Sequence, residues 1–161
     1  MTNFRSKKLP EIEDMIDILR LSALEYFQTR KRSAIRRFLD VAYTQYCRIC
    51  ESPQAAGYIK EFKEYFGDSQ STPLAISMIR HSYPDFDRRD LHKWKTLIDL
   101  AHAENTSPSA FASLLQDHGG VNGALAHLKD IAAERKRRTM MGNSLKPANI
   151  ESFRTITQLR R

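Results

Sequence analysis

An all-α fold, a multi-helix bundle of six to eight helices, is predicted by three features of the 161-residue sequence. Apolar residues return every three or four positions through most of the chain, as a buried helix stripe requires. No segment alternates with period two between hairpin turns. From residue 11 to residue 52 no Gly or Pro interrupts the pattern, and later Gly and Pro mostly fall where one periodic run gives way to the next.

Residues 1–8 read as a frayed basic arm. Ile12, Ile16, Leu19, Ala23 and Phe27 form the first stripe, with Pro10 before it and Glu11, Glu13 and Asp14 at the positive end of the helix dipole. Ile35, Phe38, Leu39, Ala42, Tyr46 and Ile49 form the second. A break near residues 30–33, with Ser33 as the cap, is preferred to one long helix. Ser52-Pro53 ends this unit. Tyr58, Phe62 and Phe66 mark a short amphipathic helix closed by Gly67. Thr72-Pro73 reads as a cap followed by proline at the first helical position, and Leu74–His81 as a buried helix stopped before Pro84.

Acids at 85–90 open the next helix, with Leu91, Trp94, Leu97, Ile98 and Ala101 inward and Lys93, Lys95 and Asp99 outward. Ser107-Pro108 caps the following one, with Phe111, Leu114 and Leu115 as its core face and Gly119 as the left-handed residue after it. Val121, Leu125, Leu128 and Ala132 give the final helix its stripe, with Ile131 alongside. The expected organisation is an N-terminal helical arm or hairpin at 1–52, a helical core at 53–138, and a basic tail at 139–161. For the tail, disorder and a docking helix on Ile150, Phe153 and Ile156 both stay open. The aromatic side chains Tyr43, Tyr46, Tyr58, Phe62, Tyr65 and Phe66 fall at helical spacings, and core packing is their default role.

An apolar share of 41% is enough for a core. No stretch approaches the roughly 20 apolar residues that cross a bilayer, so no membrane partner is expected. A basic start without an apolar run, together with two cysteines, predicts a cytoplasmic protein. The formal charge of +7 is regional. Residues 129–161 hold nine Lys or Arg against three acids, whereas 53–105 are near balance with seven cations and eight acids. A second knot is Arg30, Lys31, Arg32, Arg36 and Arg37, with no acid between them. Such clustering fits a surface that meets polyanions; simple solubility is the alternative.

The stretch 91–138 resembles a helix-turn-helix DNA-binding module of the bacterial, plasmid or phage type, and the likeness covers the motif alone. In that resemblance Pro108–Asp117 supports, Gly119-Gly120 turns, and the helix from Asn122 to about Arg138 enters the major groove. It implies base contacts by Asn122 and His127, close approach at Gly123, and phosphate contacts by Arg135, Lys136, Arg137 and Arg138. Leu115, His118 and Asp130 depart from the motif, and an ordinary helical hairpin with a glycine cap has nearly the same pattern. The functional expectation is a regulatory or accessory protein that binds nucleic acid, duplex DNA first, with a homodimer matching a symmetric site. The alternative is a non-catalytic adaptor or inhibitor acting through a protein partner.

No enzyme, cofactor or metal is expected. Cys47 and Cys50 have zinc-like spacing without the two further ligands a structural site needs, and read as small buried residues. Asp85, Asp87 and Asp90 read as helix-start acids, since the glutamate and lysine of a nuclease signature do not follow.

Overall fold

The computed structural model describes residues 9–144. Among them are seven α-helices and no strand: α1 Ile12–Thr29, α2 Arg32–Cys50, α3 Ala55–Phe66, α4 Leu74–Ser82, α5 Arg88–Ala103, α6 Pro108–Asp117 and α7 Val121–Ser144. None is long and apolar enough to cross a membrane. The chain divides into two compact units, residues 1–128 and 129–161, with the division falling inside α7.

Within the first unit α1 packs on α2 and α4, α2 also on α6, and α4 on α5. One buried cluster joins Met15, Ile16 and Leu19 of α1 to Phe38, Leu39 and Tyr43 of α2. It continues through Phe62, Met78, Ile79, Leu97 and Ile98 to Phe111, Leu115, Ala124 and Leu128. Each Leu, Ile, Met or Phe side chain among them contributes about 1.5–3 kcal/mol by leaving water. The expected boundary at residue 52 therefore does not coincide with an edge of the packing: the first two helices supply much of the core.

Three helices end in the same way. After α3, α5 and α6 a left-handed residue lets two further amides reach back to the last carbonyls. Gly67 does this at φ 69°, Asn105 at 55° and Gly119 at 73°. After α6 the amides of Gly119 and Gly120 bond the carbonyls of Gln116 (3.3 Å) and Leu115 (2.8 Å). The start of α6 is equally defined: the Ser107 hydroxyl accepts from the Ala110 amide at 3.2 Å, with Pro108 at the first position.

Four local expectations are corrected. Ser33 lies inside α2, whose cap position is Lys31. Pro73 is itself the cap residue of α4, because its ψ of 139° keeps it extended. The buried stripe of α7 is Ala124 and Leu128, with Val121, Leu125 and Ala132 half-buried and Ile131 exposed. Residues 139–144 continue α7, while the docking-helix positions Ile150, Phe153 and Ile156 lie outside the described residues.

Of the aromatic residues expected in the core, Tyr43 and Phe62 are fully buried, whereas Tyr65 is exposed. Tyr43 stacks on Phe111 (centroids 4.1 Å apart) and donates its hydroxyl to the Thr106 carbonyl at 2.6 Å, tying α2 to the start of α6. The loop after α3 is held by polar groups. Lys63, 7% exposed, donates to the Gln70 carbonyl at 2.7 Å, and Asp68 pairs with Arg80 and with His81 (2.9 Å).

Candidate nucleic-acid interface

Three helix N-terminal ends meet around one cleft. Arg30, left-handed at φ 52°, closes α1 by donating its amide to the Tyr26 carbonyl at 2.7 Å, and α2 begins two residues later. Arg32, Ile35 and Arg36 then share one face of α2, as residues three and four apart must. Asp90, Lys93 and Trp94 do the same near the start of α5. The turn after α6 delivers Gly119, Gly120, Val121 and Asn122. Together with Tyr26, these residues line a cleft of about 480 Å³.

Its floor is apolar and its rim is charged. Trp94, 3% exposed, stands edge-on to Tyr26 (6.3 Å), Phe38 (5.9 Å) and Phe86 (4.8 Å). Arg32, Arg36 and Lys93 face a single carboxylate, Asp90, which pairs with Lys93 at 3.5 Å. The first-turn amides of α7 point out of a helix start, where they have no intrahelical acceptor. The helix dipoles add positive potential at all three ends.

The placement of Lys31 and Arg32 runs against helix stability. The first turn of α2 contains no acid, and its cap position has no side-chain hydrogen bond. Cations at the positive end of a helix are unfavourable by some tenths of a kcal/mol each. An anion in the cleft would reverse the sign of that interaction.

The candidate residues are thus sorted by the fold. Arg32, Arg36 and Asn122, distant in sequence, come together at the cleft, joined by Lys93. Helical spacing alone puts Lys93 on an outward face and gives nothing that connects it to the basic knot. Arg30 lies over the rings of Tyr26 (5.5 Å) and Phe27 (4.6 Å). Arg37 points elsewhere and pairs with Glu25 at 2.7 Å. Lys31 is exposed at the start of α2.

On α7, Asn122 and Ala126 are exposed, while His127 is half-buried and stacks on His118 at 4.0 Å. Gly123 has an internal reason to be glycine: a Cβ there would stand 1.7 Å from the His118 carbonyl oxygen. α6, the supporting helix of the resemblance, packs chiefly on α2. In the second unit the run Arg135–Arg138 is exposed, and Arg137 and Arg138 share Glu134 at 3.3 and 3.0 Å.

Cys47 is buried and Cys50 half-buried, both as free thiols, and burial pushes both thiols up from their ordinary value. That is the reverse of what an activated thiolate needs. Asp87 accepts from the Arg89 amide at 2.7 Å as the cap of α5. Among the described residues no three His, Cys, Asp or Glu side chains gather as a metal site would require.

Comparison of the chain with protein-family models, with curated proteins and with solved structures finds no match.

Proposed function

We propose that the protein binds nucleic acid, duplex DNA in the first instance, as a regulatory or accessory factor. The reading rests on the cleft, where Arg32, Arg36 and Lys93 surround the positive ends of three helices. A backbone phosphate is the simplest group to occupy such a rim, because it can accept from guanidinium groups and from helix-start amides together. Asn122, exposed beside the cleft, is the residue best suited to contact a base edge. The Arg135–Arg138 run would add phosphate contacts of its own.

Phosphate binding releases counterions, so affinity must fall with salt. If about five phosphates are neutralised, log affinity falls against log salt with a slope near −4.5. Fluorescence anisotropy of labelled duplex DNA at three salt concentrations measures this. The double substitution Arg32→Ala with Arg36→Ala is expected to weaken binding to every sequence alike and to reduce the slope by about 1.8. Asn122→Ala is expected to erode discrimination between sequences by about 1–3 kcal/mol while leaving the slope unchanged. A salt-independent affinity, or none at low salt, would remove the proposal.

A further inference from the structure

The cleft between α2, α5 and the start of α7 is larger than a phosphate needs. Its volume of about 480 Å³ falls within the roughly 300–1,000 Å³ of small-molecule pockets. A phosphate group alone displaces only a few times the ~30 Å³ of one water. A phosphate inside a duplex would satisfy the rim and leave the floor bare, because the base attached to it stays paired within the stack. The apolar lining of Tyr26, Ile35, Trp94 and Val121 offers a surface for a planar group that such a phosphate does not bring.

The rim also carries more charge than an internal phosphate matches. Arg32, Arg36 and Lys93 stand against one lining carboxylate, Asp90, which leaves two positive charges over. Asp90 holds Lys93, at 3.5 Å. Among the described residues neither Arg32 nor Arg36 has a carboxylate partner. The Arg36 Nε donates to the Arg32 carbonyl at 3.4 Å, and its two terminal nitrogens are left to a ligand. A phosphate within a strand is a diester with a single negative charge. A phosphate monoester carries about −1.5 to −2 at pH 7 and three strong acceptor oxygens. The monoester is the group whose charge fits.

We propose that the cleft holds a nucleoside monophosphate, with its phosphate among Arg32, Arg36 and Lys93 and its base on the apolar floor beside Asn122. Asn122 is exposed there, and its amide can pair with the N6 and N7 edge of adenine. The unit is a free nucleotide or the phosphorylated, unpaired end of a strand, and the chemistry recognised is the same in both. The inference rests on reading the cleft as a phosphate site, and narrows the phosphate from an internal diester to a monoester whose base is free. Because the rim is open to solvent, the dissociation constant for the single unit is expected to be about 10⁻⁴ M.

Calorimetric titration of the full chain with adenosine 5′-monophosphate, up to about 3 mM so as to bracket that constant, tests the site. The methyl diester of the same nucleotide should bind about tenfold more weakly, the size of one lost charge-assisted hydrogen bond. Ribose 5-phosphate should also lose about tenfold, the size of one lost stacking contact. Arg32→Ala with Arg36→Ala should abolish binding, whereas Arg37→Ala, whose guanidinium is held by Glu25 at 2.7 Å, should leave it unchanged. Asp90→Asn removes the one lining carboxylate and should tighten binding about threefold. The ligand series uses the wild-type chain, so the question stays decidable should a variant unfold. A short duplex with a 5′-phosphorylated unpaired end that displaces the nucleotide assigns the strand end as the source; failure to displace it assigns the free nucleotide. The proposal is overturned by absence of nucleotide binding, by a methyl diester or ribose 5-phosphate bound as tightly as the nucleotide, by an affinity indifferent to Arg32→Ala with Arg36→Ala, or by an Asp90→Asn variant that binds no more tightly. Duplex DNA that still binds through Arg32 and Arg36 in any of those cases leaves the nucleic-acid reading standing. Nucleotide binding without affinity for duplex DNA removes that reading alone.

Discussion

At Gly123 the absence of one methyl group lets the start of α7 approach the end of α6. A Cβ would collide with the backbone carbonyl of His118, which cannot rotate away as a flexible side chain would. Gly123→Ala is therefore expected to destabilise the protein by about 1–3 kcal/mol, as overpacking does, read as a lower urea midpoint. The helix-turn-helix resemblance implies close approach to DNA at this glycine; loss of DNA binding at unchanged stability would support that role instead. Tyr43 offers a second test at this scale. Its hydroxyl, bonded to the Thr106 carbonyl at 2.6 Å, is pushed above its ordinary range mainly by burial and stays protonated as a donor. Tyr43→Phe leaves that carbonyl without this donor and is expected to cost about 1–2 kcal/mol. Neither contact can be read from spacing, since each joins residues whose nearness is decided by packing.

At the scale of elements, signals that act within a few residues are the legible ones. Ser107-Pro108 and Gly119 define α6 because a cap, a fixed φ and a left-handed glycine each act within a few residues. Ser107→Ala should lower stability by about 1 kcal/mol. Thr72-Pro73 misled by one position because proline tolerates both the cap and the first helical site, and only its ψ decides between them. The loop between α3 and α4 carries a pH dependence. Burial raises the Asp68 carboxyl, but the Ser77 hydroxyl, His81 and Arg80 more than offset this, so its pKa lies below the usual value. A carboxyl lowered on folding contributes stability that is present above its unfolded value, near pH 4, and lost as pH falls through the folded one. Urea midpoints measured from pH 6 to pH 2 should therefore fall more steeply for the wild type than for Asp68→Asn.

The whole molecule is where the sequence was least informative about function and most informative about class. Periodicity alone implied an all-helical bundle, because every helix must bury a stripe. It did not place the first two helices in the core, since an amphipathic hairpin looks the same whether its face meets its neighbours or a partner. Nor could it bring Lys93 to Arg32 and Arg36, which are joined only through the packing of α1, α2, α4 and α5. At this scale the salt response offers a clean division. Arg37→Ala, whose guanidinium is engaged by Glu25, should leave the DNA salt slope nearly unchanged, whereas Arg36→Ala should flatten it by about 0.9.

The chain has a single tryptophan, and it forms the floor of the cleft. Trp94 is therefore an optical probe already installed where occupancy would be felt. Its burial among Tyr26, Phe38 and Phe86 predicts blue-shifted emission in the folded protein and a red shift on unfolding. Anion binding at the rim should change its brightness without that shift, so one unlabelled fluorescence trace can separate filling of the cleft from loss of the fold.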